Sequence, residues 1–305
     1  MKKILIFRNA KLGDYLITVP SIQIIKEKYK KSKIYFLTSK NKHYKELPKN
    51  IENLKLVDKF IYFQNNFTGY LKILSILKKQ KIDVVYNLQE NTTFIRNIKH
   101  YFFFLLLGIK VKKGFFFKQL NYLKYNETFQ ISKRVDKNIK AKKLYKLSKI
   151  KIKKDKKFLN GKYLTISIGG FSQPKIWDIK NWKVLIQNIL IKYNINIIIT
   201  GTKKDYKNGL ILEMINKNRV FSYCGKLTLK NLFNVIKYSK MHITNDNGSM
   251  HISTLYSKET ICLFSNHDPK GKWFPCNKNA KILISNKGVN NIKPRSVLRS
   301  ISHFI

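Results

Sequence analysis

Short apolar runs alternate with amphipathic stretches along nearly the whole chain, and that alternation limits the available folds more than any other feature. Residues 4–7, 34–37 and 84–88 are apolar on both faces, as strands covered on both sides must be. Between them, Ile22, Ile25 and Tyr29, and then residues 67–79, keep helical spacing. The second half repeats the pattern without repeating the sequence: strands at 164–168, 195–200 and 241–243, helices at 180–193, 204–215 and 229–239, and a short last helix beginning after Pro294. Leu229, Leu232, Phe233 and Ile236 stand at i, i+3, i+4 and i+7, one apolar face for packing on a sheet. The pattern predicts an α/β protein built on parallel sheets.

A chain of 305 residues with 44% hydrophobic composition has enough apolar side chains for two cores. Between about 121 and 160 it turns polar and lysine-dense, which places a boundary near 150–161. The expected domains are 1–155 and 156–290, with 291–305 as a terminal helix. Two doubly wound domains would face each other across a cleft lined by the carboxyl ends of their strands.

With 62 Lys and Arg against 16 Asp and Glu, the formal net charge is +46, which suits an acidic partner: nucleic acid, an anionic membrane or a phosphorylated substrate. The lysines are spread along the chain beside abundant Asn, Ile, Tyr and Phe, which is also the mark of AT-rich codon usage. No helix-turn-helix, zinc-finger, RNP-type or basic-zipper pattern accompanies the charge, so nucleic acid is not the expected partner. Cys224, Cys262 and Cys276 form no CxxC pair and read as thiols in a reducing compartment. No signal-peptide pattern opens the chain, and a cytoplasmic location is expected. The run YFFFLLLGI at 101–109 is shorter than the ~20 residues of a spanning helix. It reads as a buried helix or, beside Lys99 and Lys110, as a surface resting on lipid.

Four stretches carry the chemistry. In RNAKLGD a strand meets a helix through Gly13 and Asp14, without the G-x-G-x-x-G of a dinucleotide site. A carboxylate there would repel a pyrophosphate, which leaves two roles for Asp14: a helix cap or a general base. ITNDNGSMH follows a strand and opens a helix, so Asn247, Gly248 and Ser249 offer amides to a phosphate; Asp246 is a cap or a ligand, and His251 a ligand or an ordinary buried histidine. GGFSQPKIWDIKNW sets Lys175 after a glycine turn, where it is either solvated or able to stabilise a departing phosphate, while Trp177 and Trp182 read as packing residues. In IIITGTKKD, Asp205 is a turn aspartate or a ribose acceptor.

Taken in this order, the stretches resemble glycosyltransferase family 9, the lipopolysaccharide heptosyltransferases of GT-B fold. The opening strand and R-x-x-x-x-G-D turn, KIWDIKNW, and TNDNGSMHISTLYSKETICLFSNHDP each match a family motif. The resemblance implies an inverting transfer in which Asp14 is the base and Lys175 steadies the leaving diphosphate. It places Asp205 at the nucleotide ribose, Leu227 at the base, and Gly13, Asp246, Asn247, Gly248 and His251 around the donor, with Ser172 offering a hydroxyl where Phe171 cannot. Asn247 and Ser249 stand where the family has threonine and proline, and Asp205 where it has glutamate. It implies no cofactor, and with no D-x-D motif no obligatory metal. The implied partners are a nucleotide diphospho-sugar, ADP-heptose in this family, and an anionic glycolipid at the inner membrane. A GT-B-like hydrolase or epimerase and a basic nucleic-acid binder are the alternatives.

Overall fold

A computed structural model describes residues 1–39, 56–64, 66–90, 93–147, 162–170 and 172–301. The chain divides into two compact units between Ser148 and Lys149. The expected boundary segment, 150–161, lies outside the described residues, as does Phe171.

The first unit is built on five parallel strands, β1 (Lys2–Phe7), β2 (Ser32–Ser39), β3 (Lys59–Phe63), β4 (Val84–Asn87) and β5 (Val111–Lys113), in the order β3-β2-β1-β4-β5. Its described helices are α1 (Leu12–Leu16), α2 (Val19–Lys28), α3 (Phe67–Gln80), α4 (Phe94–Leu106), α5 (Glu127–Val135) and α6 (Ala141–Leu147). Ile4, Ile6, Leu5 and Phe7 are all buried, so both faces of β1 are covered, as its unbroken apolar run required. Pro20 lies in the first turn of α2, where a missing N–H leaves no gap in the helical ladder. On one side of the sheet Leu5, Phe7 and Val85 pack with Phe63, Ile73, Leu77 and Phe104.

The lysine-dense stretch before the boundary belongs to the first unit, because α5 and α6 pack back against α2. Ile131, Val135, Leu144 and Leu147 face inward while most of the lysines face water. One expectation needs correction: of the two readings of the run at 101–109, the buried helix does not hold for α4. Phe104 and His100 enter the core, but Phe94, Ile95, Phe102, Leu105 and Leu106 stay exposed.

The second unit has six parallel strands, β6 (Tyr163–Ser167), β7 (Asn196–Thr200), β8 (Val220–Ser222), β9 (Met241–Asn245), β10 (Glu259–Ser265) and β11 (Ala280–Ser285), in the order β11-β10-β9-β6-β7-β8. This is the Rossmann strand order, with its topological switch between β6 and β9. The helices α7 (Ile179–Lys192), α8 (Tyr206–Glu213), α9 (Leu229–Tyr238), α10 (Gly248–Leu255) and α11 (Pro294–Ile301) complete the layers. Here α11 packs on α7, and Val297 and Ile301 join the core of this unit. Cys224, Cys262 and Cys276 are buried and form no disulfide.

Trp177 and Trp182 are packing residues, as their sequence setting suggested. Their rings meet edge to face at 4.8 Å, both buried among Leu164, Ile166, Leu185 and Ile189. Replacing Trp182 by Ala is expected to destabilise this unit by about 3–5 kcal/mol, read by urea denaturation followed by circular dichroism.

Candidate functional site

In a doubly wound sheet, neighbouring strands at the switch point send their chains to opposite faces, which opens a crevice at their carboxyl ends. In the first unit the switch falls between β1 and β4. The loop leaving β1 is tied down on both sides: Ala10 N–H donates to Thr38 Oγ1 (3.0 Å) and Asn9 N–H to Gln89 Oε1 (3.1 Å). That loop delivers Asp14 to the third position of α1, where Oδ2 accepts from Lys11 N–H at 3.1 Å. The capping role is therefore real, and it occupies only part of the carboxylate.

Asp14 Oδ1 lies 3.6 Å from Nη2 of Arg8, a guanidinium buried to 1% exposure, while Asp14 itself is 26% exposed. Arg8 Nη1 also donates to Leu88 O and lies 3.5 Å from Glu127 Oε1, in a carboxylate buried to 2%. Arg8 thus joins β1, the end of β4 and α5 behind the one carboxylate that reaches solvent. Nearby, burial pushes Arg134 down to about 10, with Arg8 adding to that shift and Glu127 opposing it. Arg8 and Glu127 were not singled out from the sequence as functional, although Arg8 heads the R-x-x-x-x-G-D turn; Glu127 sits 119 positions further on and has no local signal.

The second unit repeats the device at β6 and β9. Asn245 Nδ2 donates to Ile168 O (2.7 Å) and Gly169 O (3.3 Å), and Asn247 Nδ2 to Gly169 O (2.8 Å), stapling the two strand-end loops together. Between these loops Lys175 Nζ donates to Asp246 Oδ2 at 2.6 Å and also pairs with Asp268, from the loop after β10. Lys175 is therefore not solvated. Burial pushes it down, but Asp246 and Asp268 outweigh that and hold it above its ordinary value, so it stays an ammonium. Burial and then Asp268 push Asp246 up, against the pull of Lys175. Asp246 is no helix cap, since Asn247 caps α10 by accepting from Ser249 N–H at 2.9 Å. One of the amides expected to face a phosphate is taken up in this way, and Gly248, partly exposed, opens the first turn of α10. Asp268 was missed: its DP dipeptide was visible, but its pairing with Lys175 spans 93 positions.

The other expected residues are distributed around this centre. Ser249 is built inward, its Oγ bonded to Asn247 Oδ1 (2.6 Å), Thr244 Oγ1 (3.0 Å) and the buried His242 Nε2 (3.0 Å). His251 is buried on α10, where burial and then Lys175 push it down to about 4, so it is neutral at pH 7. Asp205 accepts from Thr202 N–H (2.7 Å) and Oγ1 (2.8 Å), which holds its carboxylate against Gly169, where a Cβ would come within 2.6 Å of Oδ2. Ser172 opens the turn Gln173–Lys175, and Leu227 lies half-buried against Tyr163, Ile198 and Val235. Among the described residues, no group of three or more His, Cys, Asp or Glu is placed to hold a metal ion.

Two doubly wound units, with a partly exposed carboxylate at one switch point and a lysine beside a helix N-terminus at the other, have the make-up of a GT-B glycosyltransferase. Comparison with known proteins agrees. The family model for glycosyltransferase family 9 (heptosyltransferase) matches residues 128–298. Lipooligosaccharide heptosyltransferase 2 of Campylobacter jejuni serotype O:6 is 24% identical, over 98% of this chain and 98% of the relative. The serotype O:2 protein is also 24% identical, over 99% and 98%. Among solved structures, ADP-heptose LPS heptosyltransferase II of Escherichia coli is similar with a TM-score of 0.76 at 16% identity, covering 100% of this chain and 98% of that one. Escherichia coli heptosyltransferase WaaC with ADP is similar at 0.74 and 14%, covering 99% and 100%. The chain belongs to glycosyltransferase family 9 and is a glycosyltransferase.

Two outcomes follow from the buried groups. Replacing Arg8 by Met takes one cation from the buried Glu127, which keeps Tyr122 Oη at 3.4 Å and the nearby Arg134, and urea denaturation is expected to show a loss of about 3 kcal/mol. Burial holds His242 at about 3, and His100 and His251 at about 4, below the ~6.5 of an unfolded chain. The stability that these neutral imidazoles contribute is complete above about pH 6.5, where neither state takes up their protons. It is lost as pH falls toward 4, because only the unfolded state binds protons in that window. Denaturation midpoints at pH 7.5 and 5 measure the slope, which His251→Asn should flatten in part.

Proposed function

We propose that this enzyme transfers a heptose from ADP-heptose to a lipooligosaccharide core at the cytoplasmic face of the inner membrane, by one displacement that inverts the anomeric centre. The observation that carries the reading is Lys175, an ammonium held by Asp246 and Asp268 beside the N-terminus of α10 at a switch point. A diphosphate arriving there competes with the two carboxylates for the same cation. The heptose and the acceptor class are those of the Campylobacter relatives, and the adenine nucleotide is that of the similar Escherichia coli structures.

In this reading Asp14 accepts the proton of an acceptor hydroxyl while that oxygen forms its bond to C1 of the heptose. The C1–O bond to the diphosphate breaks, its electron pair leaves with ADP, and the Lys175 ammonium with the helix-end amides around Gly248 stabilises the charge that develops. Arg8 fixes the direction of the Asp14 carboxylate from behind. Asp205 takes the ribose hydroxyls, Leu227 lies under the base, and Gly13, Ser172, Asn247 and the neutral His251 complete the donor contacts. The glycolipid acceptor binds on the first unit, beside Asp14.

Asp14→Asn keeps the size and part of the capping but removes the basic oxygen. Transfer from ADP-heptose to a lipooligosaccharide core, followed by mass spectrometry, is expected to fall by about two to four orders of magnitude with the fold intact. Unchanged turnover in that variant ends the assignment. Release of free heptose, or its epimerisation, at the same rate without acceptor would point instead to a hydrolase or epimerase.

A further inference from the structure

The apolar side chains that α4 leaves exposed form one continuous face. Phe94, Ile95, Phe102, Leu105 and Leu106 are 69, 66, 56, 47 and 72% exposed, and together with Ile98 they fall within about a third of the helical circumference. His100 and Phe104 occupy the opposite side and anchor the helix, with Phe104 in the core. The segment after β5 extends the same patch: Phe116, 59% exposed, lies 6.2 Å from the Phe94 ring and 5.5 Å from that of Tyr101. Lys112 Nζ sits 5.2 Å over Tyr101. A soluble surface seldom leaves so many large apolar groups together without a partner.

The surrounding charge identifies the partner. At the patch, Lys99 follows Ile98 on α4 and Lys112 Nζ lies over Tyr101, while between Glu90 and Glu127 the chain has seven Lys and Arg and no Asp or Glu to oppose them. A second copy of a chain of net charge +46 would be repelled from such a rim, whereas anionic headgroups would be drawn to it. No described helix is long and apolar enough to cross a membrane, and α4, with 13 residues, spans only about 20 Å. We propose that α4 lies in the interface of an anionic bilayer, with Phe102, Leu105 and Leu106 among the acyl chains and the flanking lysines at the headgroups. This gives a definite surface to the membrane contact of the proposed function, but it stands on the patch itself and needs neither donor nor acceptor.

The test uses the full chain and vesicles of phosphatidylcholine with or without phosphatidylglycerol. A tryptophan at the patch, Phe102→Trp, should show blue-shifted emission with the anionic vesicles and be quenched by bromine-labelled acyl chains. The double variant Phe102→Ser/Leu106→Ser should bind those vesicles at least about tenfold more weakly, including at high salt. Ile191→Ser, on α7 of the second unit, should bind like the parent. Transfer to a lipid-free core saccharide should be unchanged in the double variant, while transfer to vesicle-borne acceptor falls. Vesicle binding by Asp14→Asn should match the parent, so the docking and transfer readings fail separately. The proposal is overturned if Phe102→Trp shows neither shift nor quenching, if the double variant binds like the parent, or if its two serines instead dissolve an oligomer, which would make a second copy the occupant.

Discussion

Two parallel strands that diverge must be held together where they part, and in the second unit that task falls to two asparagine amides. Asn245 and Asn247 donate to the carbonyls of Ile168 and Gly169, pinning the end of β9 to the end of β6. These carbonyls lie past the last strand bond, where no helix or sheet ladder would satisfy them, and a buried carbonyl without a partner is costly. The staple sets the gap across which Lys175 reaches Asp246 and orients the first turn of α10. Behind it, His242 bridges Thr165 and Ser249 at 2.8 and 3.0 Å, so the helix start also rests on a buried polar network that closes on itself.

The first unit solves the same problem with charge. Arg8 is held by a backbone carbonyl and a buried carboxylate, which leaves one face of its guanidinium to meet Asp14. A carboxylate so placed has its direction fixed by the fold while part of it stays open to solvent. The two units therefore differ in chemistry but share a plan: a switch point, a polar clamp behind it, and one ionic side chain presented at the mouth.

The departures from the family pattern have structural consequences inside the second unit. Serine at 249, where a proline is usual, adds a hydroxyl that His242, Thr244 and Asn247 all use. Asparagine at 247, where a threonine is usual, both caps α10 and bonds Gly169 O. Asp205, shorter than glutamate, is kept close to the glycine turn by the two Thr202 donors.

Much of this architecture was legible in advance because strands covered on both faces are rich in apolar residues, and β1, β2, β4, β6 and β7 announce themselves in that way, with β9 marked by Met241 and Ile243 beside a buried His242. The edge strands β3, β5, β8 and β11 did not, since one flank of an edge is open and its composition is mixed, and the inner β10 was not picked out by its pattern either. Asp14, Lys175 and Asp246 could be picked out as residue types beside glycine turns, but from spacing alone each had an ordinary reading of equal or greater weight. What surrounds them is brought in from far along the chain: Glu127 meets Arg8, and Asp246 and Asp268 meet Lys175, which is therefore not solvated. The phenylalanine-rich run on α4 shows the same limit from the other side, because periodicity marks it as a helix without saying whether anything covers it. By itself the sequence determined the order of elements and the chemistry available in each loop, both of which follow from local composition. Tertiary structure alone decided which charges meet and which apolar face is left bare, because those depend on chain segments tens of residues apart being brought within a few ångströms.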